Sequence, residues 1–375
     1  MIMKKRFIGI FIYVLCVIII GFLVTMGIYE GFFEFVFQGI SYFPWYIHFL
    51  FILVALSLVI TVHELGHFFT FYKYGIHVKA IYILFIAFVK ENRWKIKFIP
   101  KFLLLFGGIV IPDHVVIDSD ERKEQVIQIF KKVLIAGPNT SLVYGVSLVM
   151  IWFISLWFNV NHLSGILFTF MMTTALMTVL VVLSSRISRG SLYGDYAAKN
   201  ALSQNESFTL SYLLQIASFI KYDEASSKYL FKLCATYLEN TPYRQDQTYQ
   251  AILSFYLEQM TFYREIGSTA IDQKIQQMIS RLPRNEDGLN LYTQIIFYKK
   301  YLKDNEKVNQ LLNIQFNKRF KVKEDVMEFY LKMINHVLKF NDEALYFSKV
   351  SAHELKDLSF IYEPLHLDFK IMEIK

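Results

Sequence analysis

The chain has 375 residues, of which 54% are hydrophobic, and its mean hydropathy is +0.35. It is too apolar for one ordinary soluble domain and long enough for a membrane part followed by a second domain. The formal net charge of +7 does not indicate nucleic-acid binding, because much of the Lys and Arg flanks apolar spans, as it does in membrane proteins. The two cysteines, Cys16 and Cys234, are too few for a disulfide framework or a cysteine-based metal site.

Four apolar stretches are long enough to cross a bilayer. They are residues 7–29, 46–71, 133–158 and 164–185. The first follows a basic N-terminus but lacks a small-residue cleavage site, so we interpret it as a retained membrane helix. The connectors 30–45 and 159–163 contain neither Lys nor Arg, whereas the opposite flanks contain both. The positive-inside rule therefore predicts a multi-pass protein of the cell membrane with both termini in the cytoplasm.

The segment between the second and third spans, residues 73–132, is predicted to be a small cytoplasmic insertion that contains β structure. Residues 94–98 alternate apolar and polar side chains, and residues 76–89 are rich in β-branched and aromatic side chains. Residues 90–93 would form the turn between these strands. The pair Gly107-Gly108 indicates a bend or a close approach of the backbone.

From about residue 205 onward, apolar side chains recur at the three- and four-residue spacing of water-soluble helices. The breaks between them predict antiparallel helical hairpins, arranged as a tetratricopeptide-like solenoid or as an irregular bundle. The expected fold is therefore mostly α. A membrane-embedded helix bundle with the small β-containing insertion spans residues 1–200, and an all-α cytoplasmic domain spans residues 205–375.

The sequence His63-Glu64-Leu65-Gly66-His67 lies near the predicted cytoplasmic end of the second span. On a helix, two histidines four residues apart share one face and can bind one metal ion, and the adjacent glutamate can act as general base toward a zinc-activated water. The alternative without a metal ion is an internally hydrogen-bonded His–Glu–His cluster. Ionisable groups within an apolar span are costly and are functional by default. The motif therefore predicts one Zn²⁺ per chain held by His63 and His67, with Glu64 as the catalytic base.

Two histidines leave zinc short of a third protein ligand. Asp195 follows the fourth span on the predicted cytoplasmic side and is the leading candidate. Glu91, Asp113 and Asp118 are cytoplasmic by the same topology and compete with it on position.

These features resemble the site-2 protease family of intramembrane zinc metalloproteases, and the resemblance covers about residues 46–200. Besides the His-Glu-x-x-His motif, Ala136-Gly137-Pro138 resembles the Ala-Gly-Pro-x-x-Asn element of that family, and Gly107-Gly108 resembles its glycine pair. Gly194-Asp195-Tyr196 falls where the family has an Asp-Gly motif. The aspartate of that motif is the third zinc ligand, so the resemblance implies this role for Asp195.

The sequence departs from the family pattern in ways that identify it as a divergent member. Tyr196 stands where glycine is usual. The family usually has an Asn-x-x-Pro stretch before its aspartate, and this chain has no such proline before Asp195. The family's asparagine falls at Ser141, while Asn139 lies two residues earlier. Asn139 is therefore the candidate for positioning a substrate strand.

The resemblance implies an integral membrane zinc endopeptidase that cleaves a membrane-spanning or membrane-associated protein or peptide near the cytoplasmic face of the lipid bilayer. A helical substrate must unwind first, because its backbone amides are occupied, and the strand-like segment 76–98 would hold it as an added strand. The alternatives are a non-catalytic membrane adaptor, or a peptide-export or immunity protein, that retains a metal site. The C-terminal helical domain would recruit a substrate or protein partner, or would serve stability and assembly.

Overall fold

The computed structural model describes residues 32–90, 93–99, 107–113, 115–157, 161–189, 192–219, 223–263 and 268–340. The first predicted span, residues 7–29, lies outside the described residues. The first four described helices are α1 Phe32–Ser41, α2 Trp45–Lys73, α3 Asp120–Trp157 and α4 Asn161–Ser184.

Three helices of the described ranges are long and apolar enough to cross a membrane. These candidate spans are Trp45–Lys73, Asp120–Ser155 and Ile166–Ser184, and they correspond to the second, third and fourth spans predicted from the sequence. Many of their large apolar side chains are exposed, as lipid-facing side chains are. Examples are Phe49, Leu53, Val146, Ile154 and Leu180.

Packing divides the chain into two compact units, residues 1–63 with 138–183 and residues 64–137 with 184–375. The boundaries fall inside α2 and α3, so each of these helices contributes to both units. The predicted division into residues 1–200 and 205–375 follows the membrane pattern rather than the packing, and it stays a prediction.

In the first unit, His48 joins three helices. Its Nε2 atom donates to the carbonyl oxygen of Ile40 in α1 at 2.9 Å, because a carbonyl can only accept. Its Nδ1 atom is then the acceptor for the Thr169 hydroxyl of α4 at 2.8 Å. Trp152 and Phe168 pack at 5.3 Å between ring centroids and bring α3 against α4.

In the second unit, the insertion forms an antiparallel sheet of four strands, β1 Val78–Ile83, β2 Ile86–Lys90, β3 Trp94–Phe98 and β4 Gly108–Pro112. The strand order is β3-β2-β1-β4. The predicted strand at residues 94–98 is confirmed as β3, and the strand-rich run 76–89 contains β1 and β2.

The last residues of the predicted insertion are helical. Residues 120–132 are helical and belong to α3, so the third span is the continuation of a longer helix. The prediction located the span by its apolar length alone and missed the polar turns before it, which pack through Val126, Ile127 and Phe130. Pro138 consequently lies inside α3 rather than at the start of a helix.

The described residues in the rest of the second unit are mostly helical, as predicted. After the short strands β5 Ser188–Arg189 and β6 Leu192–Tyr193 come α5 Asp195–Gln204, α6 Glu206–Phe219, α7 Glu224–Asn240, α8 Gln247–Tyr263, α9 Thr269–Met278, a 3₁₀ turn Ile279–Arg281, α10 Glu286–Tyr301, α11 Asn305–Leu312, α12 Phe316–Arg319 and α13 Glu324–Phe340. Consecutive helices pack on each other, as α7 does on α8, and helices further apart in the chain also pack: α6 on α8, α8 on α10, and α10 on α13. The choice between a tetratricopeptide-like solenoid and an irregular bundle stays open.

The segment that leads into α3 shares its core with these helices. Val115, Ile117 and Phe130 belong to the same buried apolar cluster as the residues of α6 to α10. The backbone N–H of Ile117 donates to Ser226 Oγ at 2.9 Å. The Tyr229 hydroxyl donates to Asp120 Oδ1 at 2.6 Å. The first turns of α3 are therefore held by the helical part of this unit.

Lys274 stabilises the end of α7. Its ammonium group donates to the carbonyl oxygens of Leu238, Glu239 and Thr241 at 2.6, 2.6 and 2.9 Å. The last carbonyls of a helix have no partner within the helix, so a cation placed among them satisfies several at once.

We expect Lys274→Met to lower the free energy of unfolding by about 1.5–3 kcal/mol, the contribution of a hydrogen bond to a charged group. The measurement is thermal unfolding of the detergent-solubilised chain. Lys228→Met is the control, because the exposed Lys228 pairs with Glu224 one turn away and such pairs contribute about 0.3–0.5 kcal/mol. Equal shifts for the two variants would contradict this role of Lys274.

Candidate metal centre

The His-Glu-x-x-His motif lies on an uninterrupted helix, as its spacing predicts. His63, Glu64 and His67 all belong to α2, and His63 precedes His67 by one turn. The side chains of Glu64 and His67 are buried, with exposed fractions of 4% and 8%.

A backbone hydrogen bond fixes the orientation of the His67 ring. The Nδ1 atom donates to the carbonyl oxygen of Val133 in α3 at 2.8 Å. The proton of the neutral imidazole therefore lies on Nδ1, and the lone pair of Nε2 remains for a metal ion. Nε2 faces Asp195, whose Oδ2 atom lies 3.6 Å away.

The Nδ1 atom of His63 also has a protein partner. It lies 3.2 Å from the Oγ atom of Ser141, which is fully buried in α3. Both histidines thus engage Nδ1 with the protein, an arrangement that favours Nε2 as the metal-binding nitrogen. Ser141 occupies the position of the family's asparagine, which was the signal that could have identified it. Asn139 is exposed on the same helix, and its substrate-positioning role stays a prediction.

Local backbone contacts hold Asp195 at the first position of α5. The Gly194 N–H donates to the Ile187 carbonyl at 2.9 Å, and the Ala197 N–H donates to the Ser185 carbonyl at 3.1 Å. A Cβ atom on Gly194 would lie 2.3 Å from the carbonyl oxygen of Ser184, so the close approach requires glycine. The positive end of the helix dipole also favours a carboxylate at this position.

His63, His67 and Asp195 form a group that could hold a metal ion, because their ligand atoms all lie within 4.8 Å of one another. Two ligand atoms of a tetrahedral zinc with bonds of about 2.0–2.2 Å lie about 3.4 Å apart, close to the 3.6 Å between His67 and Asp195. Two imidazoles and one carboxylate leave a fourth position open, as in catalytic zinc sites. The donor set therefore fits zinc.

Two of the three competing acids do not join this group. Among the described residues, Asp113 and Asp118 are absent from the cluster that surrounds the two histidines. Glu91 lies outside the described residues. The structure thus brings Asp195 to the histidines by long-range folding.

The start of β4 lies directly against Glu64. A Cβ atom built on Gly108 would lie 2.4 Å from Glu64 Cγ and 2.5 Å from the carbonyl oxygen of Tyr82. Only glycine permits this approach, so the close backbone contact predicted at Gly107-Gly108 is confirmed. Sequence analysis did not identify Glu64 as the neighbour.

A cavity of about 370 Å³, lined by Arg186, Tyr196, Ala197 and Asn200, opens beside the helix that carries Asp195. The guanidinium of Arg186 lies 6.0 Å from the centroid of the Tyr196 ring. Sequence analysis did not identify this cavity. Arg186 supplies a cation to the cavity and Asn200 supplies an amide, beside Tyr196, the residue that follows Asp195.

A His-Glu-x-x-His motif on an apolar helix of membrane-spanning length, with an aspartate brought to both imidazoles, is the arrangement of a membrane-embedded metalloprotease. Residues 51–337 match Peptidase family M50. The match covers more than half of the chain, which therefore belongs to Peptidase family M50, the site-2 protease family. Neither the search of curated proteins nor that of solved structures found a match.

The arrangement predicts which substitutions abolish zinc binding. We expect wild-type protein to retain about one tightly bound zinc per chain, and His67→Ala and Asp195→Ala to lose it, because each removes one of three ligands. The measurement is zinc content per chain after dialysis against a weak chelator. Asp113→Ala and Asp118→Ala are matched controls and should keep the metal. Zinc loss in either control, with retention in Asp195→Ala, would assign the third ligand elsewhere.

Proposed function

We propose that this chain is an integral membrane zinc endopeptidase that cleaves a membrane-spanning or membrane-associated protein or peptide near the cytoplasmic face. The observation that carries the proposal is the convergence of His63, His67 and Asp195 beside the buried Glu64. Membership of Peptidase family M50 supports a metalloprotease, and the apolar helices support action within or at a membrane.

The residues of the centre divide the work of peptide hydrolysis. His63 and His67 would hold the zinc through Nε2, and Asp195 would hold it through its carboxylate. When bound, zinc lowers the pKa of water to around 7 and polarises the scissile carbonyl. Glu64 takes a proton from the attacking water and delivers it to the leaving amide nitrogen. Its burial excludes bulk water, which would otherwise exchange that proton.

The position of Glu64 favours β4 as the element that holds an unwound substrate. Sequence analysis predicts that the segment 76–98 holds the substrate, and the strand of that segment at an edge of the sheet is β3. β2 and β1 separate β3 from β4, a distance of about 14 Å at the usual strand spacing. β4 is the other edge of the sheet and begins against Glu64. A substrate segment added beside β4 would present its backbone next to the general base.

An adaptor, or a peptide-export or immunity protein, with a purely structural metal site does not account for the buried Glu64. A structural site needs its ligands but no additional buried carboxylate beside them, and burying a carboxylate is costly. Glu64 is buried beside the histidines without belonging to the ligand group. This favours the enzyme.

The distribution of Lys and Arg supports a multi-pass protein of the cell membrane with cytoplasmic termini. The metal centre would then lie toward the cytoplasmic side of the bilayer, and substrate would reach it from there. A protein partner for the helical domain remains a proposal. The shared core of this domain and the start of α3 favours a stabilising role for its first helices.

We expect Glu64→Gln to abolish proteolysis while zinc content and thermal stability stay near wild type, because the amide keeps the shape of the side chain and cannot take a proton. Comparative proteomics of cells expressing either form should show an uncleaved membrane precursor accumulating with Glu64→Gln. Val59→Ala is a control on the same helix, outside the motif. Full biological activity of Glu64→Gln would contradict the enzyme and favour the adaptor.

Gly108→Ala tests the contact between β4 and the base. The added methyl group must displace Glu64 or the Tyr82 backbone, so we expect precursor cleavage to fall at least tenfold with zinc retained. Gly75→Ala is the control, since it strains a residue with φ of +73° but meets nothing within 4 Å. It should lower stability without slowing cleavage. Unchanged cleavage by Gly108→Ala would refute the contact.

A further inference from the structure

Five aromatic rings of the second unit form a continuous chain of contacts. We call Phe71, Phe130, Tyr212, Phe208 and Tyr193 the aromatic chain. The distances between successive ring centroids are 5.2 Å, 5.8 Å, 5.8 Å and 4.2 Å. The first three distances lie within the range of about 4.5–7 Å in which ring pairs attract each other beyond the area that they bury. Each ring has only two side-chain torsions, so such a chain is stiff once packed.

The two ends of the aromatic chain adjoin the proposed metal ligands. Phe71 follows His67 by one turn of α2, and residues four apart lie on the same helical face. At the other end, Tyr193 precedes Asp195 by two residues. The chain thus connects the segments that supply the second and third ligands.

The second ring belongs to the element that orients His67. Phe130 lies on α3 one turn before Val133, whose carbonyl accepts the His67 Nδ1 proton. Its ring contacts Phe71 on one side and Tyr212 on the other. The backbone that fixes the imidazole is therefore itself held by the aromatic chain.

The central rings come from the helical half of the sequence. Phe208 and Tyr212 lie one turn apart on α6, which packs on α8 and also contacts β4. Burial, together with the negative charge of Asp195, raises the pKa of Tyr212 above its usual range.

Asp195 needs such support. It follows a hairpin whose strands have two residues each, and the segment lacks the proline expected before this aspartate. A metal centre requires its ligands to stay within about 0.5 Å of the working geometry. Two backbone hydrogen bonds anchor the segment locally, and the aromatic chain ties it to α3 and α2.

We propose that α6 is a structural part of the metal centre: through the aromatic chain, Phe208 and Tyr212 position Asp195 relative to His67. These are positioning residues, since they act through the ligands. The inference rests on the proposed zinc site and assigns the start of the helical domain to ligand positioning rather than to substrate recruitment.

The test measures zinc affinity of the full-length, detergent-solubilised chain by competition with a chromophoric chelator. We expect Tyr212→Leu, which keeps an apolar side chain but removes the ring, to weaken zinc binding about 10–100-fold, as loss of a ligand-orienting group does. Tyr212→Phe restores the ring and should bind zinc as wild type does. The visible spectrum of the Co²⁺-substituted chain should change with Tyr212→Leu and not with Tyr212→Phe.

Phe320→Leu is the matched control. Phe320 is fully buried in the same unit and contacts the Tyr292 ring at 5.5 Å. It does not belong to the aromatic chain. This variant should lower the melting temperature without changing zinc affinity or the Co²⁺ spectrum.

The outcomes separate this inference from the proposed function. Wild-type affinity for zinc in Tyr212→Leu, or equal weakening in Phe320→Leu, would overturn the positioning role and leave the enzyme intact. Equal weakening in Tyr212→Phe would assign the effect to the hydroxyl and overturn the role of the ring. Should Tyr212→Leu not fold, Tyr193→Leu replaces it, with the same weakening expected and unchanged affinity contradicting the inference. A wild-type chain that binds no zinc refutes the metal site itself.

Discussion

The hydrogen bond from His67 Nδ1 to the Val133 carbonyl is the constraint on which the centre depends. It fixes the imidazole tautomer, turns Nε2 toward Asp195, and attaches α3 to the motif helix at the level of the ligands. An imidazole on an apolar helix would otherwise have an unsatisfied donor, which is costly away from water. The same hydrogen bond therefore satisfies the Nδ1 donor and directs Nε2 toward Asp195.

The helical half of the chain shares its core with the rest of the second unit. The sequence suggests an independent module, but its first helices share one core with the strands of the insertion and with the start of α3. Removing residues 205–375 would expose that core and remove Phe208 and Tyr212. A truncation therefore cannot by itself separate recruitment of a partner from support of the metal centre.

Local patterns in the sequence were sufficient for the elements whose periodicity is strong. The histidine spacing on α2 and the alternation in β3 were predictable because they depend on residues within one or two turns of each other. The start of α3 is not predictable from the apolar stretch that marks the span, because the first turns of the helix are polar. The count of four spans also depends on residues 7–29, which lie outside the described part of the chain.

Long-range partners could not be predicted from one sequence. Asp195 and Asp113 are equivalent as isolated loop carboxylates, and only the fold distinguishes them; family resemblance favoured Asp195 beforehand. The sequence favours Asn139 over Ser141 because an amide is the expected residue in that element, whereas the fold places Ser141 beside His63. Tyr212 is one of 24 tyrosines, and nothing in its local sequence links it to a ligand more than ten residues away.

The central claim is that two imidazoles and one carboxylate bind a single zinc ion. X-ray absorption at the zinc edge, on the purified full-length chain, tests it most directly. The account predicts a first shell of nitrogen and oxygen only, at about 2.0–2.2 Å, with outer-shell scattering from two imidazole rings. Sulfur at about 2.3 Å, or scattering from fewer than two imidazoles, would contradict it.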